Sequence, residues 1–111
     1  LNILFLGVTF KENISDTRNS QSLKLVKLLL KNRSKIDIYD PFIKEINEIK
    51  KTTVISEWKK IKKYDLIIHA VKHKNFNIFY NKKNYIKYLT KKGFIYDIHN
   101  LFQKGKNVFF L

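Results

Sequence analysis

Residues 2–30, NILFLGVTFKENISDTRNSQSLKLVKLLL, carry an apolar run, a polar loop and an apolar-periodic segment in that order. Residues 2–6 read as a strand that runs into Gly7. The loop that follows is crowded with polar side chains, among them Lys11, Asn13, Asp16, Arg18 and Ser20. From about residue 19 to residue 32, Leu23, Val26, Leu29 and Leu30 recur at helical spacing. Strand, loop and helix place the loop at the carboxyl end of a strand, where open α/β sheets bind ligands. Lys11 and Arg18 supply cations there, the loop supplies amide donors, and Phe10 supplies a flat ring. That combination suits a ligand carrying phosphate and a planar base.

The rest of the chain repeats the alternation. Residues 35–39 (KIDIY) read as a strand stopped by Asp40-Pro41, because proline has no N–H for a ladder. A short helix is expected over 42–49 with Phe42, Ile46 and Ile49 inward, then a brief strand at 52–55. Ser56 reads as the N-cap of a helix over 57–62 that carries Trp58 and Ile61. Residues 64–71 (YDLIIHAV) form the most continuous apolar run and read as a central buried strand. The aromatic-rich stretch 76–89 reads as a broken helix, with Phe79, Tyr80, Tyr85 and Tyr88 as core and interface aromatics. Gly93 is expected to start a strand through Asp97, and 107–110 (NVFF) an edge strand. The expected fold is α/β: a three-layer, Rossmann-like domain with a mainly parallel sheet of about five to six strands and right-handed crossovers.

At 111 residues the chain is read as a single domain, 1–111, with one modest core. It opens directly in a strand without an initiator Met, as a fragment of a longer chain would. The absence of cysteine excludes a disulfide framework, a cysteine zinc site and a cysteine nucleophile from these residues. No apolar run reaches the roughly 18–20 residues of a membrane span. LNILFLGV lacks the marks of a signal peptide, so a cytoplasmic location is expected. The net charge of +14 points at first to nucleic acid or an anionic surface. Yet Arg18 and Arg33 are the only arginines among 23 basic residues, and arginine is the preferred reader of phosphates and bases. The lysines are scattered from Lys11 to Lys106, so compositional drift accounts for the charge and no nucleic-acid partner is expected. His69 reads as a satisfied core histidine and His73 as a strand-end residue. The three histidines lack metal-ligand spacing, and no metal site is expected. Gly7, Gly93 and Gly105 cannot spell G-x-G-x-x-G, which disfavours a self-contained dinucleotide domain despite the fold.

GVTFKENISDTRNS, residues 7–20, resembles the opening of the C-terminal, UDP-binding domain of the UDP-glucose/GDP-mannose dehydrogenase family. The family pattern runs roughly G-[LV]-[AT]-F-K-x-[ND]-x-x-D-x-R-[NE]-[ST], and Gly7, Thr9, Phe10, Lys11, Asn13, Asp16, Arg18, Asn19 and Ser20 match it. IDIYDP at 36–41 is similar to the family's Val-x-Val-x-Asp-Pro strand. Tyr64 to Phe76 is similar to YDAIIVAVxHxxF, and Tyr96 to His99 to YDxK. The wording leans towards the UDP-N-acetylglucosamine and UDP-N-acetylgalactosamine 6-dehydrogenases of polysaccharide biosynthesis.

The resemblance implies a division of labour. Such enzymes oxidise the C6 alcohol of a nucleotide sugar to a carboxylate in two NAD-dependent hydride transfers, for surface polysaccharides such as capsule or O-antigen. An N-terminal Rossmann domain binds NAD, a central helical region joins the halves and dimerises, and the C-terminal domain binds the UDP-sugar. A cysteine elsewhere carries the covalent intermediates. A chain without cysteine or glycine fingerprint is then expected to be the C-terminal domain alone, inactive by itself. Its partners would be the UDP-sugar and the rest of the dehydrogenase chain, with NAD bound mainly by the absent N-terminal domain and a homodimer in the full protein.

By the same resemblance Phe10 and Lys11 contact substrate, Arg18 reaches NAD, and no residue here is catalytic. The residue types agree with these roles. A loop lysine is a mobile point charge suited to phosphate or hydroxyl. An arginine at a helix N-terminus is badly placed for the helix dipole unless an anion faces it. Asp16 reads as an N-cap, and Asn13 and Ser20 as partners for loop amides. His99 departs from the pattern: the family carries Lys or Arg there as a substrate contact, and imidazole is shorter and only partly charged near neutrality. The alternative reading is a stand-alone, non-catalytic Rossmann-like module that binds a nucleotide or an acidic partner.

Overall fold

The computed structural model describes residues 1–8, 21–31, 34–43, 52–55 and 62–110, with 21–23 in backbone only. Six strands, β1 (Asn2–Leu6), β2 (Lys35–Tyr39), β3 (Thr53–Ile55), β4 (Tyr64–His69), β5 (Leu89–Asp97) and β6 (Val108–Phe109), form one sheet. Their order is β3-β2-β1-β4-β5-β6, and every neighbouring pair is parallel. The chain thus builds outward from β1 to β3, then restarts on the other side of β1 with β4. This is the doubly wound order, and its reversal lies between β1 and β4. The helices expected over 42–49 and 57–62 fall almost wholly outside the described residues, as does the loop 9–20.

Both faces of the sheet are packed, which is why β1 and β4 read as near-continuous apolar runs. On one face Ile3, Phe5, Ile36, Ile38 and Ile68 meet α1 (Gln21–Leu30) through buried Val26 and partly buried Leu25, Leu29 and Leu30. On the other face Leu4, Leu6, Tyr39 and Ile67 meet Phe76, Phe79, Tyr85 and Phe102. Among the described residues, bulky aromatics cover this second face without a long helix. The segment 74–88 is a 3₁₀ stretch (Lys74–Phe79), the short α2 (Lys82–Tyr85) and a second 3₁₀ turn (Ile86–Tyr88). Asn81 caps α2, its side-chain oxygen accepting from the Lys83 N–H at 2.8 Å. The broken helix expected over 76–89 is therefore found, with Phe79 and Tyr85 fully buried.

Three boundaries differ from the sequence reading. Phe42 does not point inward from a helix: it sits in a turn, is 38% exposed, and lays its ring 4.9 Å from that of His73. β4 ends at His69, because the N–H groups of Ala70 and Val71 both turn to the Leu6 carbonyl, at 3.1 and 3.2 Å. β5 begins at Leu89, before Gly93. Its ladder with β4 shifts register, with Tyr64 opposite Leu89 and Leu66 opposite Phe94. The residues between are held by side chains: Thr90 Oγ1 donates to Asp65 at 2.9 Å, and Asn107 donates to the Gly93 carbonyl at 3.1 Å. The Asn2 N–H also donates to Asp65, and with Thr90 it holds that carboxyl below the usual carboxylate range.

Gly7 fixes where the first strand ends. Its φ is +90°, and a Cβ there would lie 2.7 Å from Val71 Cβ and 2.9 Å from the Val71 carbonyl oxygen. The close approach of the chain leaving β1 to the chain leaving β4 therefore requires glycine. Gly7→Ala is expected to lower unfolding stability by about 2 kcal/mol or more, read as a reduced urea midpoint with an unchanged slope.

Candidate functional site

The carboxyl edge of the sheet gathers polar groups that are far apart in sequence. Parallel register aligns Tyr39, Leu6, His69 and Asp97 in one row at the ends of β2, β1, β4 and β5. All three histidines lie at this edge: His69 ends β4, His73 follows it, and His99 follows β5. Asp40 follows β2 and Asp97 ends β5, and both are fully buried.

Asp40 organises the left half of the edge. Its Oδ2 accepts from the Val8 N–H at 3.0 Å and its Oδ1 from the Phe42 N–H at 3.0 Å. His73 Nε2 lies 3.4 Å from the same Oδ2, with the ring packed between Phe42 and Phe76. The carboxylate therefore ties the residue leaving β1, the turn leaving β2 and the segment after β4. Val8, whose N–H Asp40 holds, is the last described residue before the loop 9–20.

Asp97 organises the right half. Its Oδ1 accepts from His69 Nδ1 at 3.0 Å, and its Oδ2 accepts from the Phe102 N–H at 2.9 Å. Tyr80 donates its hydroxyl to His69 Nε2 at 3.1 Å, which completes a Tyr80–His69–Asp97 chain. His69 is fully enclosed, with the rings of Phe76, Tyr80, Phe102 and His99 around it. Burial pushes its pKa down to about 4, against the opposing pull of Asp97, so the ring is neutral at pH 7. Burial, with Asp97 adding to it, pushes the Tyr80 hydroxyl up to about 12. The expectation that His69 is a satisfied core histidine agrees with this geometry.

The turn after β5 carries His99. Asn100 takes the left-handed conformation at φ 57°, which asparagine tolerates, and its N–H donates to the Asp97 carbonyl at 3.3 Å. Lys104 Nζ donates to the Asn100 side chain. His99 is half-buried and donates from Nε2 to the Ala70 carbonyl at 3.0 Å, which places it beside the β1/β4 reversal. Of the expected site residues, His99 is thus at the carboxyl edge, while Phe10, Lys11 and Arg18 lie outside the described residues. Sequence reading missed the Asp40 and Asp97 clamps and the hydroxyl of Tyr80. The strand-end positions of Asp40, His69 and Asp97 were the available signal, since strands of one parallel sheet end on one edge.

No helix among the described residues is long and apolar enough to cross a membrane. Among them, no three His or acidic side chains converge as metal ligands would. A dinucleotide pyrophosphate does not fit the turn after β1 by the usual glycine cradle: Gly7 is its one glycine, and Gly7 is packed against Val71.

Comparisons with known proteins show what the chain is similar to. Residues 4–104 match the UDP binding domain of the UDP-glucose/GDP-mannose dehydrogenase family. The UDP-N-acetyl-D-glucosamine 6-dehydrogenase of Salmonella typhi is 41% identical over 76 residues, which are 67% of this chain and 18% of that protein. The UDP-N-acetyl-D-mannosamine dehydrogenase of Methanococcus aeolicus is 30% identical over 109 residues, which are 92% of this chain and 24% of that protein. The chain therefore spans about a fifth to a quarter of the length of these curated relatives. The solved UDP-N-acetyl-mannosamine dehydrogenase of S. aureus shares the fold, with a TM-score of 0.70 and 20% identity over 98% of this chain and 25% of that one.

A neutral His69 links stability to pH. Its folded pKa lies below the unfolded value of about 6.5, so the unfolded chain binds the extra proton. Stability is full above that value and is lost as pH falls from about 6.5 towards 4, by on the order of 3 kcal/mol. Urea midpoints measured from pH 7.5 to pH 4.5 are expected to fall along that course. The His69→Gln variant, which has no titrating ring, is expected to lose that component of the slope.

Proposed function

The chain belongs to the UDP-glucose/GDP-mannose dehydrogenase family, and from that membership we propose that it is the nucleotide-sugar-binding, C-terminal part of an NAD-dependent UDP-sugar 6-dehydrogenase. The whole enzyme would oxidise the sugar C6 alcohol to a carboxylate for surface polysaccharide, and this part alone would be inactive. The observation that carries the reading is the match over residues 4–104, made by a chain whose strand order reverses between β1 and β4. Ligands of doubly wound sheets bind at the carboxyl side of such a reversal.

In this reading the polar loop after β1 meets the nucleotide sugar. Phe10 lies by the nucleotide, Lys11 reaches the phosphate and sugar, and His99 contacts the substrate from the turn after β5. Arg18 reaches across the cleft to NAD, which is held mainly by the N-terminal domain and supplies the hydride acceptor when bound. The residues of this chain bind and orient, and domain closure excludes water. A homodimer, formed largely through the central region, and a cytoplasmic location complete the proposal. No nucleic acid is a partner.

Isothermal titration of UDP-N-acetylglucosamine into the full dehydrogenase chain tests the reading. Lys11→Ala is expected to weaken binding by about tenfold or more, as loss of a charge-assisted hydrogen bond does, and to leave a residual affinity that responds little to salt. Arg18→Ala is expected to raise the KM for NAD while UDP-sugar binding stays close to wild type. Absence of UDP-sugar binding together with steeply salt-dependent DNA binding would support the stand-alone basic module instead.

A further inference from the structure

Two positions at which this chain departs from the family pattern are neighbours in space. YDAIIVAVxHxxF has valine where His69 stands, and YDxK has lysine where His99 stands. Their rings lie 5.3 Å apart at 74°, edge towards face. They are held differently. His69 has both nitrogens engaged, by Asp97 and Tyr80. His99 has Nε2 on the Ala70 carbonyl, and among the described residues its Nδ1 has no hydrogen-bond partner.

The Ala70 carbonyl can only accept, so Nε2 of His99 carries a proton in either charge state. Neutral His99 then presents Nδ1 as a bare lone pair, which has nothing to give a phosphate oxygen. The imidazolium presents Nδ1 as a charged donor, which does. Lysine or arginine at this place would donate at every physiological pH, whereas imidazole changes charge between about pH 5 and 8.

Resting on the reading that this edge takes the diphosphate of a nucleotide sugar, we infer that His99 is a proton-gated anion contact. It holds the diphosphate through protonated Nδ1 and loses that bond when the proton leaves. Affinity for the UDP-sugar therefore falls as pH rises and that proton is lost.

Among the described residues, the groups around His99 leave its charge available to an outside anion. His69, from β4, is neutral and brings no repelling charge, and Tyr80 behind it donates to His69. Asp97, from β5, is occupied by His69 on one oxygen and by the Phe102 N–H on the other. In the turn itself Lys104 binds the Asn100 side chain. His73 and Asp40 face each other on the far side of β4. The Tyr80–His69–Asp97 chain also braces the turn, since Asp97 grips both His69 and the residue at which the turn closes.

The test is titration of UDP-N-acetylglucosamine into the full chain between pH 6.5 and 8.5, with far-UV circular dichroism confirming the fold at each pH. A UDP-sugar is chosen over UDP because its diphosphate diester does not ionise in this window. Wild-type Kd is expected to rise by about tenfold across the range, which is one unit of proton linkage. His99→Lys is expected to bind tightly with a flat profile, and His99→Gln weakly with a flat profile. A flat wild-type profile, or a slope that persists in both variants, overturns the inference while leaving the nucleotide reading intact. Absence of UDP-sugar binding by wild type and by His99→Lys at every pH overturns both. A readout that needs no variant is the ring-proton NMR titration of His99, which is expected to shift to higher pH on adding the UDP-sugar. An unchanged titration in the bound state overturns the inference.

Discussion

Two buried carboxylates, Asp40 and Asp97, impose the constraint on which the carboxyl edge depends. A carboxylate out of water is tolerated only if nearby donors replace its hydration. Each of these is met by backbone N–H groups from segments that have just left a strand: Val8 after β1 and Phe42 after β2 for Asp40, Phe102 after β5 for Asp97. Satisfying the charge and shaping the loops are thus the same event. The two histidines that approach the carboxylates, His73 and His69, extend the constraint to the chain at and beyond the end of β4.

The platform beneath this edge is stiff for a different reason. Among the described residues, one face of the sheet meets the aliphatic stripe of α1, and the other meets interlocking aromatics at ring separations of about 5–6 Å, such as Tyr39 with Phe76 and Tyr85 with Phe102. Large rings cover more sheet per residue than a helix of small side chains does. The β4–β5 crossover can therefore be built from short 3₁₀ and α pieces without exposing the core. Polar groups set on such a base keep their geometry, which is what a site that orients a ligand requires.

Most of the architecture was legible because strands buried on both faces leave continuous apolar runs and helices leave a 3.6-residue stripe. NILFL, KIDIY and YDLIIH announce their strands, and Val26 lies on the stripe of α1 as its spacing indicates. The register shift before Gly93 was not legible, since it depends on Asp65 and Asn107 reaching across strands that are distant in sequence. Phe42 was misread because a phenylalanine after Asp-Pro looks like a helix start, whereas Asp40 claims its N–H for a turn. In the site, the loop motif at 7–20 was visible as sequence, but nothing in a linear reading sets His69 beside Asp97 or His99 against Ala70.

The sequence by itself determined the alternation of strand and helix, the absence of cysteine and of a glycine fingerprint, and the motif loop that marks the family. These are properties of consecutive residues, and local periodicity and composition carry them. Only the tertiary structure decided which strand ends become neighbours. Parallel pairing in the order β3-β2-β1-β4-β5-β6 brings together Asp40, His69, Asp97 and His99, whose separation along the chain reaches 59 residues, because every strand of the sheet delivers its carboxyl end to one edge. Burial at that edge then fixed the charge of His69, and the carbonyl of Ala70 fixed which nitrogen of His99 keeps its proton.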